Sequence, residues 1–138
     1  MTDSREFNER IIKEFRENNG VVGAPFEGAT LLLLTTTGSK TGLLRTTPLV
    51  YLADGDRYVI IASKGGAPEN PSWYNNIVAG GEVSIEVGTE KFEVQPEIIE
   101  GKERVELYAR QEALMPGFKD YRLNTSRIIP VIALTRKN

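Results

Sequence analysis

Two short segments hold the residue types that could do chemistry in this chain. The first is Gly38-Ser39-Lys40-Thr41-Gly42, followed by Arg45-Thr46-Thr47-Pro48. The second runs from Ala62 through Ser63-Lys64-Gly65-Gly66 to Asn70-Pro71-Ser72-Trp73-Tyr74-Asn75-Asn76. Cations set among glycines suit an anion, because glycine lets the backbone approach a ligand closely. Asn70 reads as a helix N-cap with Pro71 at the first helical position, which adds a positive helix end. Trp73, the only tryptophan, suits a flat ring. The combined chemistry is that of a pocket for a phosphorylated, ring-bearing ligand. Taken singly, each segment reads more simply as structure, the first as a solvated hairpin turn and the second as a strand-to-helix loop with Trp73 in the core. Taken together, they are two lysine–glycine loops, each leaving an apolar strand, that could converge at one barrel mouth.

The absences narrow the chemistry further. The chain has no Cys and no His, so thiolate nucleophiles, disulfides, imidazole bases, Ser-His-Asp triads and histidine-ligated metals are excluded. No calcium-loop spacing occurs, and no metal site is expected. Acid–base work would fall to Tyr, Lys, Asp, Glu or water, and the reactive atom is better supplied by a cofactor that the protein positions. Seventeen basic residues against nineteen acidic ones give no global field for nucleic acid. Without an apolar leader or a transmembrane-length window, the expected location is the cytosol.

Elements to position these segments can be read along the 138 residues. Residues 4–18 form an amphipathic helix with Phe7, Ile11, Ile12 and Phe15 on one face. That face packs on a core, caps a pocket, or makes peripheral contact with a membrane surface. Residues 29–37 read as a strand buried on both faces. Residues 44–53 follow as a strand placed at an edge or bulge by Pro48. Asp54-Gly55-Asp56 turns the chain into a third strand, 57–62. A short helix at 72–79, a hairpin of 82–87 with 90–99, a long helix at 102–115 and a last strand at 127–135 complete the pattern. The long helix has an expected apolar stripe of Val105, Leu107, Tyr108, Ala109 and Leu114. Tight turns allow only antiparallel neighbours, so the fold class is α+β, a mostly antiparallel barrel with flanking helices. Residues 1–18 serve as the N-terminal helix and 19–138 as one barrel domain.

The two segments, with Tyr121, Thr125, Arg127, Ile129 and Pro130 as a third match, resemble the deazaflavin-dependent nitroreductase and quinone reductase family. The resemblance runs from about Leu31 onward. It implies a split β-barrel related to flavin-mononucleotide-binding oxidoreductases. It also implies hydride transfer from reduced coenzyme F-420, an 8-hydroxy-5-deazaflavin with a phospholactyl-oligoglutamate tail, to a small-molecule acceptor of quinone, enone or nitro type. On this basis Lys40 and Arg45 match positions at the cofactor's acidic side, and Thr47 and Pro48 line the ring pocket. Ala62, Ser63, Lys64, Gly65 and Gly66 wrap ring and phosphate, with Trp73, Tyr74 and Asn75 beside them. Ser63 and Tyr121 are the implied proton donors, with water as a third source. Val50, Met115 and Phe118 stand where quinone-reducing members carry further aromatics. FMN in the same barrel, or a non-catalytic deazaflavin carrier, are the alternatives.

Overall fold

The structure is a computed structural model and describes residues 4–23 and 30–137; Ala29, the expected first residue of a strand, lies outside them. Helix α1 (Ser4–Glu17) is followed by β1 (Leu31–Thr37), β2 (Leu44–Val50), β3 (Leu52–Asp54) and β4 (Arg57–Ile61). A 3-10 turn at Lys64–Gly66 leads to α2 (Ser72–Val78), β5 (Val83–Val87) and β6 (Glu90–Ile99). Helices α3 (Gly101–Leu114) and α4 (Gly117–Leu123) precede β7 (Val131–Arg136).

All strand pairings are antiparallel, in the order β2-β1-β5-β6-β7-β4-β3. Two devices curl this sheet into a split barrel. Strand β6 pairs with β5 through Glu90–Glu93 and with β7 through Val94–Ile99, so it belongs to both halves. On the other side, the outermost strands β2 and β3 are consecutive in the chain and separated only by Tyr51. The expected single strand at 44–53 is thus two, because it must leave one half-sheet and enter the other. Pro48 lies opposite Leu33 in an edge strand, where its missing N–H interrupts no second ladder.

Alternation of side chains across the sheet sorts the apolar residues into three groups. Leu32, Leu34, Ile60, Ile85, Val94, Ile132 and Leu134 fill the interior, joined by Trp73 and Ile77 of α2. Tyr51, Tyr58 and Phe92 pack against the same cluster in edge-to-face and tilted contacts. The opposite faces of β4 and β7 pack against α3 and α4 through Leu107, Tyr108 and Phe118. Asp54 accepts from Arg110 and Arg57, tying α3 to the β3–β4 hairpin, and these guanidiniums hold its carboxyl below the usual range. The third cluster joins Ile11 and Phe15 of α1 to Leu31, Leu33 and Val22.

Helix α1 therefore spends its apolar face on the barrel, and a bidentate Arg16–Glu86 pair fastens its last turn to β5. No helix among the described residues is long and apolar enough to cross a membrane. The stripe expected on α3 is narrower in the structure. Leu107, Tyr108 and Gln111 are buried, whereas Val105 and Leu114 are 55% and 68% exposed. Helix α4 was not expected: Met115-Pro116-Gly117 ends α3, but the chain turns and restarts a helix at once.

Candidate active site

The cleft is built around α2. Its register puts Trp73, Asn76 and Ile77 on one buried face, at the i, i+3, i+4 spacing of a helix stripe. Trp73 is 7% exposed and belongs to the barrel interior, yet it also forms part of the cleft wall. The core reading of this tryptophan holds, and the same position leaves part of it facing the cleft.

Asn76 is the joint between the two loops. Its Nδ2 donates to Thr36 Oγ1 at 3.0 Å, and its Oδ1 accepts from the Ser39 N–H at 2.9 Å. The β1–β2 turn is thereby tied to the helix that follows the second loop. The result is a cleft of about 580 Å³ between β2, α2, the 3-10 turn and α1. Arg45, Thr46, Thr47, Lys64, Ser72 and Trp73 line it, with Asn8, Glu9 and Ile12 closing one side. Thr46 is held by Thr35 through a 2.9 Å hydroxyl contact. Its size lies within the range of small-molecule sites.

The cations differ in how they are committed. Lys64 Nζ lies 2.9 Å from Glu69 Oε1. Arg45 forms no ion pair among the described residues, and neither does Lys40. Arg45 reaches the cleft; Lys40, on the exposed turn, is not part of its lining.

The loop from Ala62 to Asn70 has an unusual backbone. Lys64, Gly65 and Gly66 all have positive φ, at 47°, 63° and 84°. A Cβ at Gly66 would sit 2.8 Å from the Tyr121 carbonyl oxygen, so this glycine lets the loop press against α4. Residues of the predicted set divide accordingly. Arg45, Thr47, Lys64 and Trp73 meet in the cleft. Ala62 is core, Ser63 is buried and Pro48 is buried in β2. Tyr74 packs against the interior cluster, and Asn75 is exposed. Tyr121 lies edge-on to Phe118 at 5.0 Å, behind Gly66, and does not line the cleft.

One expectation shifts by a residue. Pro71, with extended backbone, occupies the cap position and Ser72 begins α2. The first helical bonds run to the Pro71 carbonyl, and the Asn70 Oδ1 accepts instead from Arg127 Nη1 at 2.7 Å. Capping a pocket was one of the readings of the N-terminal helix, and Asn8, Glu9 and Ile12 are the residues that face the cleft. The roles of Asn76 and of Arg127 were missed in the sequence, because both depend on contacts between segments distant in the chain, for which local spacing carries no signal.

Comparison with known proteins identifies the family. The family model described as F420H(2)-dependent quinone reductase matches residues 7–136. The F420H(2)-dependent quinone reductase of Mycobacterium tuberculosis (strain ATCC 25618 / H37Rv) is 43% identical over 129 residues, covering 89% of this chain and 85% of the relative. A solved F420-H2 dependent reductase, FDR-A, superposes with a TM-score of 0.69 at 34% identity, over 83% of this chain and 96% of that one. A second solved chain, described as a domain-swapped dimer, gives 0.70 at 34% identity over 95% and 96%. The haem storage protein HutZ from Vibrio cholerae, 16% identical with a TM-score of 0.60, shares the fold alone. With its match spanning nearly the whole chain and the barrel in common, this protein belongs to the F420H(2)-dependent quinone reductase family.

Proposed function

We propose that the cleft beside α2 holds coenzyme F420 and presents it to a quinone-type acceptor. Family membership makes the chain an F420H2-dependent oxidoreductase. The observation that carries the assignment of the site is the convergence of Arg45 and Thr47 of β2 with Lys64 of the 3-10 turn and Trp73 of α2. These residues fit the cofactor's chemistry: an indole edge for a ring, hydroxyls on Thr46, Thr47 and Ser72 for its polar rim, and an unpaired guanidinium for an anion.

In this reading Arg45 and Lys64 hold the phosphate-bearing end, with Lys40 meeting its outer part. Thr47, backed by Pro48, and Trp73 bound the ring, with Tyr74 and Asn75 flanking. Ala62, Ser63, Gly65 and Gly66 supply the close backbone wall. When bound, the reduced deazaflavin supplies a hydride. The chain's own residues position donor and acceptor, which can account for about 7–11 kcal/mol of a barrier. Ile12 and Leu44 give the cleft an apolar side suited to the acceptor. Of the implied proton sources, water has direct access to the cleft, since neither Ser63 nor Tyr121 is part of its lining. Membrane contact through residues 4–18 is disfavoured, because Ile11 and Phe15 are already buried against the barrel.

Titration of the purified protein with oxidised F420 should give a saturable change in cofactor fluorescence, and its absence would sink the assignment. Arg45→Ala should weaken binding by about 10- to 100-fold, the worth of one charge-assisted contact. Lys40→Ala should cost less, since Lys40 stands outside the cleft lining. Equal affinities for wild type and Arg45→Ala would place the anion elsewhere.

A further inference from the structure

The guanidinium of Arg127 makes no ion pair among the described residues, although it is half-buried. Its donors are instead spent on one short stretch of chain some sixty residues away. Nε donates to the Ala67 carbonyl at 2.9 Å, and Nη2 to the Ser63 carbonyl at 2.7 Å. Nη1 donates to the Ala62 carbonyl at 3.2 Å and to Asn70 Oδ1 at 2.7 Å. Four acceptors, three of them backbone, are thus gathered on one planar group. The stretch they enclose contains the left-handed run Lys64-Gly65-Gly66.

We propose that Arg127 is a positioning residue for the cofactor loop, acting from behind it; this rests on the assignment of residues 62–66 to F420 made above. Three physical points support it. A non-glycine residue at positive φ, as at Lys64, is held only where its surroundings over-determine it. The loop's own bonds, Gly66 N–H to the Ser63 carbonyl, Ala67 N–H to the Lys64 carbonyl and the exposed Lys64–Glu69 pair, join residues three to five apart, whereas Arg127 ties both ends of the loop to the rest of the fold. The acceptors lie in several directions, which a rigid fork of five N–H donors can meet and a lysine ammonium cannot. Finally, a carbonyl that accepts from a cation polarises its own peptide. The Ala62 and Ser63 carbonyls belong to the peptides that carry the Ser63 and Lys64 N–H groups, so those become better donors to an anionic ligand atom. Arg127 itself is oriented by the bond from its N–H to Thr125 Oγ1 at 3.3 Å.

The test uses full-length Arg127→Ala and Arg127→Lys. Oxidised F420 is titrated by fluorescence, and steady-state turnover is measured with menadione as the quinone. Arg127→Ala should raise the Kd and KM for the cofactor by about 10- to 100-fold, the loss of one to two charged hydrogen bonds net of rehydration. The KM for menadione should stay within about twofold, and kcat at saturating cofactor should fall only a few-fold. Arg127→Lys should recover only part of the loss, and it carries the test if the alanine variant fails to fold. A residue that merely stabilised the fold would lower the active fraction, and so kcat, at unchanged cofactor KM. That pattern, or a cofactor Kd within twofold of wild type in both variants, overturns the proposal. Amide exchange without cofactor gives an independent reading. Faster exchange in Arg127→Lys confined to residues 62–70, with β4 and β7 still protected, supports it, and unchanged exchange there refutes it. If the wild-type chain binds no F420, the functional reading fails while the exchange experiment still decides what Arg127 positions.

Discussion

Adjacent glycines in the loop that follows β4 offer a matched pair of perturbations. Gly65 and Gly66 both have positive φ, 63° and 84°, so alanine at either site takes on a left-handed backbone cost of about 1–2 kcal/mol. Their surroundings differ. A Cβ added at Gly65 meets nothing within 4 Å. At Gly66 it would lie 2.8 Å from the Tyr121 carbonyl oxygen, 3.1 Å from Tyr121 Cα and 3.3 Å from Asn124 Cβ. The first two are helix backbone atoms, so relief requires the end of α4 to move by several tenths of an ångström rather than a side chain to swing aside. Overpacking of this kind costs about 1–3 kcal/mol. Gly65→Ala should therefore destabilise by about 1–2 kcal/mol and Gly66→Ala by about 2–5 kcal/mol. Urea unfolding with linear extrapolation measures both, and F420 titration shows whether the displaced α4 alters the site. Stability of Gly66→Ala equal to or above that of Gly65→Ala would refute the idea that the loop is braced on α4.

Other contacts lead to further outcomes. Asn76→Ala leaves Thr36 Oγ1 buried and the Ser39 N–H without their partner, so we expect a loss of about 2–4 kcal/mol in urea unfolding together with weaker F420 binding. A change under 0.5 kcal/mol with unaltered affinity would show the two loops to be independent. Tyr108 donates to the Phe118 carbonyl at 2.6 Å across the α3–α4 corner, so Tyr108→Phe should cost about 1–3 kcal/mol. Burial pushes the Tyr108 hydroxyl up to about 12, above its ordinary 10. Between these values the unfolded chain has released this proton and the folded one keeps it. This contribution is therefore intact below pH 10 and lost as pH rises toward 12. Tyr108→Phe should flatten that alkaline loss, as followed by thermal melting across the range; an unchanged slope would remove Tyr108 as its source.

Much of the barrel could be read from local patterns because hairpins are local objects. The turn at Gly55 and the proline of an edge strand each follow from the conformational limits of one or two residues. Patterns that needed a partner fared less well. Val105 and Leu114 are apolar residues of α3 that remain exposed, and burial is confined to Leu107, Tyr108 and Gln111. Asn70 has the chemistry of a cap, yet Arg127 claims its oxygen and the helix starts a residue later.

In the site, the chemistry was legible and the joinery was not. Residue types alone showed that an imidazole or thiolate mechanism is impossible and that cations, glycines and an indole accompany two loops. Those properties belong to each residue wherever it folds. That Arg45 and Lys64 share one cleft while Lys40 and Tyr121 stand outside its lining was decided by tertiary structure. Asn76 ties the first loop to α2, Arg127 gathers the second from behind, and α1 closes the side with Ile12. Each is a single polar or packing contact between segments tens of residues apart. Its energy exists only once the barrel has brought the partners together, so one-dimensional spacing holds no trace of it.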